Sequence, residues 1–429
     1  MSGEVKLTTR NALRVLRPGS FRRYIIGSAI SDTGTWMQVM AQGYVMSTLT
    51  NKALLLGVAQ FAAGLPMLLL TMAGGSAADR FDKRKILLTT QYVQIALAIS
   101  IGLLILSGKI QIWHILAFAV VLGISNSFEM PTLNAFVPEL VKRDEIQSAI
   151  AVDRAVFHGS RVVGPALGGI LISAWGAAWA FFGNAISFVA LIIALFIIPP
   201  RQRGSVEEEE KRASGIKDGF RYVAKDKPSL AMIGLIAATT VFIFPIITVM
   251  MPLYVRLVLG MGADKYGYLM GASAVGALIG AIFLISIPRD KRVPFMMVNV
   301  GIVACAIFSL SRAPSFRLAT ALLIFNSLGL AMNFGLANTI VQERAPDYLR
   351  GRVSAVFMLS FVGLMPVAGL GITGLSDLIG MRTALAIAAV CYAAIALIVL
   401  GRVRRQCCEP AISEVKPEET PTSPVGATV

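Results

Sequence analysis

The chain has 429 residues, of which 56% are hydrophobic and only 15% charged, with a mean hydropathy of +0.72. This composition excludes a soluble multidomain protein and predicts a polytopic membrane protein. A formal charge of +15 would suit a nucleic-acid partner, but the positions of the basic residues exclude that class and indicate membrane lipids as the surroundings.

Apolar segments of about 20 residues, each long enough to cross a ~30 Å hydrocarbon core as a helix, recur along the whole chain. Lipid offers the backbone no hydrogen-bond partners, so every spanning segment must be helical. We predict an all-α polytopic membrane protein with twelve transmembrane helices near 22–48, 53–78, 86–107, 112–137, 148–172, 175–198, 230–255, 264–288, 294–311, 316–341, 353–376 and 379–402.

The basic residues set the orientation. With both termini in the cytoplasm, 30 of the 39 Lys and Arg residues lie in cytoplasmic segments and 7 in outer loops, while Arg154 and Arg161 lie within a span. The positive-inside rule therefore predicts a multi-pass protein with both termini cytoplasmic.

A charged stretch after the sixth span divides the chain. We expect a cytoplasmic N-terminal segment (1–21), an N-terminal six-helix bundle (22–198), a cytoplasmic linker (199–229), a C-terminal six-helix bundle (230–402) and a disordered cytoplasmic tail (403–429). Within the linker, Ile216, Phe220 and Val223 are spaced i, i+4, i+7. This spacing predicts a short amphipathic helix, lying on the inner membrane surface or solvated without a lipid role.

The two halves echo each other in sequence. The triplet DKR at residues 82–84 recurs at 290–292, and Pro165 and Gly168 of span 5 match Pro366 and Gly369 of span 11. Offsets of this size predict one duplicated six-helix unit.

Ionisable residues inside the spans are candidate functional groups, because a charge in hydrocarbon is costly unless it pairs or faces water. Asp32, near the middle of span 1, shares one helical stripe with polar neighbours. The stripe predicts a helix lining a water-filled cavity, with polar packing between helices as the alternative. Its other members are Ser28, Ser31, Thr35, Gln38 and Gln42.

Spans 4 and 5 carry the remaining charges: Glu129 in span 4, and Asp153, Arg154, His158 and Arg161 in span 5. Two interpretations stay open. A Glu129–Arg161 ion pair would be structural, whereas a functional cluster would couple proton release to binding of an anionic or hydroxyl-rich substrate. His158 alone is expected to be a core residue.

Several chemistries find no support in the sequence. There is no phosphate-binding loop, so ATP is not the expected energy source, and no metal-ligand spacing, so no metal site is expected. No nucleophile with a partnered base can be identified, and we predict neither an enzyme nor a cofactor.

The loop after span 2 resembles the signature of the major facilitator superfamily: Gly, three residues, Asp, Arg, one residue, Gly, then two basic residues. Asp82 stands here in place of the second glycine. The stretches SDTGTWMQ, PTLNAFVPELV and PDYLRGRVSA also resemble the bacterial siderophore and macrolide exporter branch, whose members are enterobactin-exporter-like. The loop residues that match are Gly75, Asp79, Arg80, Asp82, Lys83 and Arg84.

This resemblance implies two pseudo-symmetric six-helix bundles in the bacterial inner membrane, acting as a monomer that exports a small molecule in exchange for protons. It also implies that Asp79 contacts the N-terminus of span 11, near 351–354, as a latch. Gly164, Pro165, Gly168 and Gly169 match the core of a motif of proton-driven antiporters. Uptake, or flipping of a lysophospholipid, is the alternative on this fold, and a non-transporting sensor is the alternative of another class.

Overall fold

The computed structural model describes residues 15–199, 216–284 and 286–403. The predicted disordered tail lies outside the described residues except for Val403. The helices in chain order are α1 (Ser20–Leu49), α2 (Ala53–Arg80), α3 (Lys83–Leu106), α4 (Ile112–Phe136), α5 (Ile146–Trp175), α6 (Ala177–Ile197), α7 (Ile216–Lys225), α8 (Lys227–Val258), α9 (Ala263–Leu284), α10 (Arg292–Leu310), α11 (Phe316–Arg344), α12 (Arg350–Ile379) and α13 (Met381–Val403).

Within the described part of the chain, eleven of these helices are long and apolar enough to cross a membrane. The short α7 is not among them, and neither is α1. Although α1 has 30 residues, it carries the polar stripe of Asp32 and its neighbours. The all-α membrane fold is confirmed, and the count of twelve spans stays a prediction.

The packing is duplicated, as the sequence echoes predict. In the first half α1 packs on α5 and α6, α2 on α4, and α3 on α4 and α6; in the second half α8 packs on α12 and α13, α9 on α11, and α10 on α11 and α13. The tight turns α5–α6 and α12–α13 also correspond, since each contains a glycine with positive φ, Gly176 at 95° and Gly380 at 85°. Glycine adopts this conformation without steric cost.

We call the side that carries the α2–α3 turn, the α4–α5 connection and α7 the linker face, and the opposite side the far face. The two halves meet through α2 against α12 and α5 against α9. Small residues allow this approach: a Cβ at Gly57 would lie 3.0 Å from the Gly369 carbonyl oxygen, and one at Gly169 would lie 2.9 Å from that of Ala263. Both contacts lie in the far-face part of the helices.

Helix α7 docks on the second half. Asp218 lies 2.8 Å from the Arg352 guanidinium of α12, and the Tyr222 hydroxyl donates to the Arg344 carbonyl at 2.6 Å. Val223 is buried and Phe220 is exposed. A helix forms over Ile216–Lys225, where the spacing predicts one, but Val223 and Phe220 differ in burial, since Val223 packs on protein.

A buried ion pair fixes the α7–α8 junction. Asp226 caps α8 through Ser229 and accepts two hydrogen bonds from Arg344 of α11, at 2.9 and 2.7 Å. Burial alone would raise the pKa of Asp226, but the hydrogen bonds from Arg344 and Ser229 hold that pKa below its ordinary value of 3.8. The pair ties the linker to the second half.

Candidate functional site

Glu129 is held by two glutamines of α3 that the sequence did not single out. Its Oε1 accepts from the Gln91 amide at 2.6 Å, and its Oε2 accepts a short hydrogen bond from Gln94. The Gln94 amide also reaches Ser125 of α4 at 3.3 Å. Because Gln and Ser are neutral, the Glu129 carboxylate is hydrogen-bonded within the described residues without a cation that balances its charge.

The Glu129–Arg161 ion pair, one of the two interpretations that the sequence left open, does not form within the described residues. Arg161 instead places its guanidinium over the Trp36 ring of α1, with Cζ 5.1 Å from the centroid, and Trp36 packs edge-on against Phe157 at 5.7 Å. A guanidinium over an indole face is a favourable cation–π contact. The structural interpretation of this pair is therefore wrong.

Asp32 and Asp153 form the acidic side of the site. Asp32 accepts from Ser28 within α1 at 3.0 Å, and Asp153 accepts from the Tyr24 hydroxyl at 3.2 Å. Asp32 interacts electrostatically with both Asp153 and Glu129. Three carboxylates on α1, α4 and α5 thus lie close enough to interact, and their role in proton or substrate binding stays a prediction.

Two of the span 5 residues do not join this group. Arg154 is exposed and donates to the Asn134 side chain of α4 at 2.6 Å. His158 is also exposed and contacts the Phe157 ring, so the prediction of a core histidine is wrong. Helical spacing placed these residues on one face with Arg161 but could not show what that face meets.

The polar stripe of α1 divides between two roles. Thr35 and Gln42 are half-buried, which is compatible with lining a cavity. Gln38 is buried and accepts from the Asn184 amide of α6 at 2.9 Å, so it packs between helices. Ser28 is also buried, against Asp32. For Gln38 the alternative of polar packing is correct.

The loop signature forms a charged network inside the first half. Asp82 caps α3 by accepting from the Arg84 amide at 2.9 Å, a role for which Asp is well suited and which explains its presence in place of glycine. Lys83 pairs with Glu139 at 2.8 Å. The Arg84 guanidinium donates to carbonyl oxygens at the end of α6, including that of Phe196 at 2.9 Å, where a cation complements the helix dipole.

The other three residues of the signature lie at the linker face. Asp79 and Arg80 are exposed, and a Cβ at Gly75 would have no heavy atom within 4 Å. Within the described residues Asp79 makes no hydrogen bond or ion pair. The first turns of α12, its expected partner, pack on α7 and α11.

A cavity of about 2010 Å³ opens at the linker face of the first half. Its entrance is lined by the loop signature, with Asp79 and Arg84, and by the α4–α5 connection. It extends to Ser125 and Phe128 on α4, directly beside Glu129. Water entering from the linker face can therefore reach Ser125, one helical turn before Glu129.

The antiporter-like motif of α5 serves two contacts. A Cβ at Gly164 would lie 2.6 Å from the Thr33 carbonyl oxygen of α1, whereas Gly169 faces α9 across the interface between the halves, against Gly267. Gly168 contacts Met37 of α1, and Pro165 is buried. The motif lets α5 pack closely on both sides.

An aromatic cluster in the second half was missed by sequence reasoning. Phe361 of α12 packs on Phe244 of α8 at 4.8 Å and on Phe334 of α11 at 5.1 Å, and Phe334 contacts Phe357 at 5.3 Å. These residues follow no single helical period, because they come from three helices. A π-helical turn at Leu359–Gly363 carries Phe361.

Arg161 and the Phe361 cluster occupy corresponding levels in the two halves. On α5, Val162 follows Arg161 and its carbonyl oxygen lies 3.3 Å from the Cβ position of Gly271 in α9. On α12, Gly363 lies two residues after Phe361, and its Cβ position is 3.9 Å from Leu68 of α2. Both groups thus lie just on the linker-face side of the contacts that join the halves.

Two six-helix halves, an interface of small residues and buried carboxylates in one half define a membrane transporter of the major facilitator fold. The chain belongs to the transmembrane secretion effector family, whose model matches residues 11–422, and this confirms the resemblance seen in the sequence.

Similar proteins support this family, and a solved structure supports the fold. The chain is 23% identical to the staphyloferrin A transporter of Staphylococcus aureus, covering 81% of this chain and 87% of that one. It is 24% identical to the multidrug efflux pump Tap of Mycolicibacterium fortuitum, covering 77% and 83%. A bacterial homologue of the human lysosomal transporter Spinster has the same fold, with a TM-score of 0.70 at 14% identity over 91% of this chain and 98% of that one.

Proposed function

We propose that this protein exports a small molecule across the bacterial inner membrane in exchange for protons, by alternating access between its two halves. The observation that carries the proposal is Glu129, an intramembrane carboxyl group held by Gln91 and Gln94 and lying one helical turn after Ser125, where the linker-face cavity ends.

The surroundings of Glu129 suit both protonation states. In the charged state it accepts hydrogen bonds from both glutamines. The Gln91 Oε1 atom is buried without a hydrogen-bond partner among the described residues. After protonation, the Glu129 hydroxyl can donate to that oxygen once the Gln91 amide rotates, so the proton gains a partner where one was missing.

The proton path follows the linker-face cavity. Under the positive-inside orientation, this face is cytoplasmic, and the cavity extends to Ser125 and Phe128 beside Glu129. Protons delivered by Glu129 in this conformation would leave to the cytoplasm. That direction is the one an exporter driven by inward proton flow needs.

Substrate binding is assigned to the region between Arg161 on one side and the Phe361 cluster on the other. A guanidinium stacked on Trp36 keeps N–H donors for an anionic or hydroxyl-rich group, and aromatic rings bind an apolar portion. Asp32 and Asp153 stand beside this region and interact electrostatically with each other. We infer that substrate binding and proton release are coupled through these carboxylates.

A siderophore or a drug-like compound is the proposed cargo, in line with relatives named as a staphyloferrin A transporter and a multidrug efflux pump. The test compares medium and cell extract, by mass spectrometry, from strains with and without the gene, grown with and without iron. Loss of a ferric chelator from the medium together with its accumulation in cells would identify a siderophore exporter. Identical profiles combined with unchanged susceptibility to a drug panel would contradict both cargo classes.

A further inference from the structure

On the far face, the second half caps a helix of the first. The carboxylate of Asp377, two residues before the end of α12, accepts hydrogen bonds from the backbone N–H groups of Ala53 at 2.7 Å and Leu54 at 2.9 Å. These are the first two residues of α2, and their N–H groups have no partner inside the helix. The N-cap residue, Lys52, provides no side-chain cap of its own.

The second half also contributes a positive charge that binds the connection between α1 and α2. The Arg256 guanidinium of α8 donates to the Thr50 carbonyl at 3.2 Å and to the Asn51 side chain. Thr50 is the C-cap residue of α1, so a cation meets a helix C-terminus while the anion of Asp377 meets a helix N-terminus. Both charges have the sign that the helix dipoles favour.

The other ends of α2 and α12 lie at the linker face, but within the described residues no aspartate caps a helix N-terminus between them. Asp79 lies one residue before the end of α2 and is exposed, and the N-cap of α12, Leu349, forms no side-chain cap. Helices α2 and α12 run in opposite directions, so each carries an aspartate near its C-terminus and exposes a helix N-terminus beside the other. In this structure one of the two reciprocal caps is formed.

We propose that Asp377 is the far-face latch of the transport cycle, and that Asp377 and Asp79 alternately cap α2 and α12. The inference rests on the proposed alternating access. Asp377 stabilises the conformation open to the linker face, and the hydrogen bonds of Arg256 stabilise the same conformation. Water can satisfy the freed N–H groups of α2 when the halves separate there, so the cap biases the equilibrium without locking it.

The test uses the full-length chain in lipid nanodiscs, with its cysteines replaced and spin labels at exposed positions. One pair, at Lys109 and Arg312, reports the far face, and another, at Asp144 and Asp290, reports the linker face. Double electron–electron resonance in the absence of any substrate gives the fraction open on each face. Asp377→Asn should raise the far-face-open fraction, relative to the closed fraction, by about threefold to tenfold, and the linker-face distance should shorten in the same molecules.

Two matched variants separate a latch from a merely structural contact. Asp377→Glu keeps the charge and should stay close to wild type. Asp264→Asn removes the same charge from the far face, where Asp264 pairs with Lys265 of its own helix, and should leave both distances unchanged. Unchanged distances in Asp377→Asn, or a far face that opens without any closing of the linker face, would overturn the proposal. Because no cargo is present, failure here is distinct from failure of the proposed export, which the strain comparison measures.

Discussion

Replacing Glu129 by Gln removes the ionisable group and keeps its shape. The new amide oxygen can accept from Gln94, and the new N–H₂ can donate to the Gln91 oxygen that lacks a partner. Hydrogen bonds to a charged group contribute about 1.5–3 kcal/mol each and neutral ones about 0.5–1.5 kcal/mol, but the variant no longer desolvates a charge. We expect its free energy of unfolding to stay within about 1 kcal/mol of wild type.

Glu129→Gln should have a far larger effect on the coupling between proton movement and cargo movement. A difference of one pH unit corresponds to about 1.4 kcal/mol per proton, so one-for-one exchange sustains roughly a tenfold concentration gradient of cargo. Without a group that exchanges the proton, Glu129→Gln should equilibrate its cargo to a ratio of one. Counterflow, which needs substrate binding and alternation but no net proton movement, should continue at a rate near that of wild type.

The assay uses proteoliposomes with an imposed pH gradient and the cargo identified by the strain comparison. Wild type, Glu129→Gln and Asp144→Asn are measured in parallel, since Asp144 is an exposed carboxylate in the connection before α5. Asp144→Asn should accumulate cargo as wild type does. A Glu129→Gln protein that still builds a gradient from the pH difference would refute the assignment of Glu129 as the proton site.

Two further predictions concern stability and the interface. Asp226→Asn breaks a pair whose side chains are 10% and 7% exposed and should lower the free energy of unfolding by about 3 kcal/mol, measured by thermal unfolding in detergent with Asp347→Asn as control. Because the folded-state pKa of Asp226 is depressed, the pair's stabilisation is present above the unfolded pKa near 4 and is lost as the pH falls through the lower folded value. Gly267→Val should push α9 away from the Pro165 carbonyl of α5 and open the far face, read by the same spin-label pairs. Gly301→Val, where a Cβ meets nothing within 4 Å, should not.

The fold could be read from the sequence because lipid allows only one backbone solution for an apolar span. Helix α8 was predicted to begin near residue 230 and begins at Lys227, since the Asp226 cap lies just before it. Span 1 is the instructive exception. Its polar stripe predicted a functional helix, and the same stripe keeps α1 out of the set of helices that composition alone marks as spanning.

The sequence marked the charged residues of the candidate site but not the contacts that they make. Charges within spans pointed to Asp32, Glu129 and Arg161, because a charge in hydrocarbon is costly unless it pairs or faces water. The partners of Glu129 turned out to be glutamines, which are common and carry no charge to mark them. Gln91 and Gln94 are spaced i, i+3 on one face of α3, and this spacing could have been found. The aromatic cluster around Phe361 could not, because it is assembled from three helices.

The contacts between the halves explain why such an interface can open repeatedly. Where bulky apolar side chains interlock, separating the two surfaces exposes a large apolar area to water. The free-energy cost is about 25 cal/mol per Å² of that area. Here the approach is made by glycines such as Gly169 and Gly267 and by charges on helix ends such as Asp377. Glycines expose little surface when they part, and water can replace a carboxylate at a helix N-terminus. An interface built in this way holds one conformation by a small free-energy margin, and under the proposed exchange mechanism the protonation of a few carboxylates would select the other.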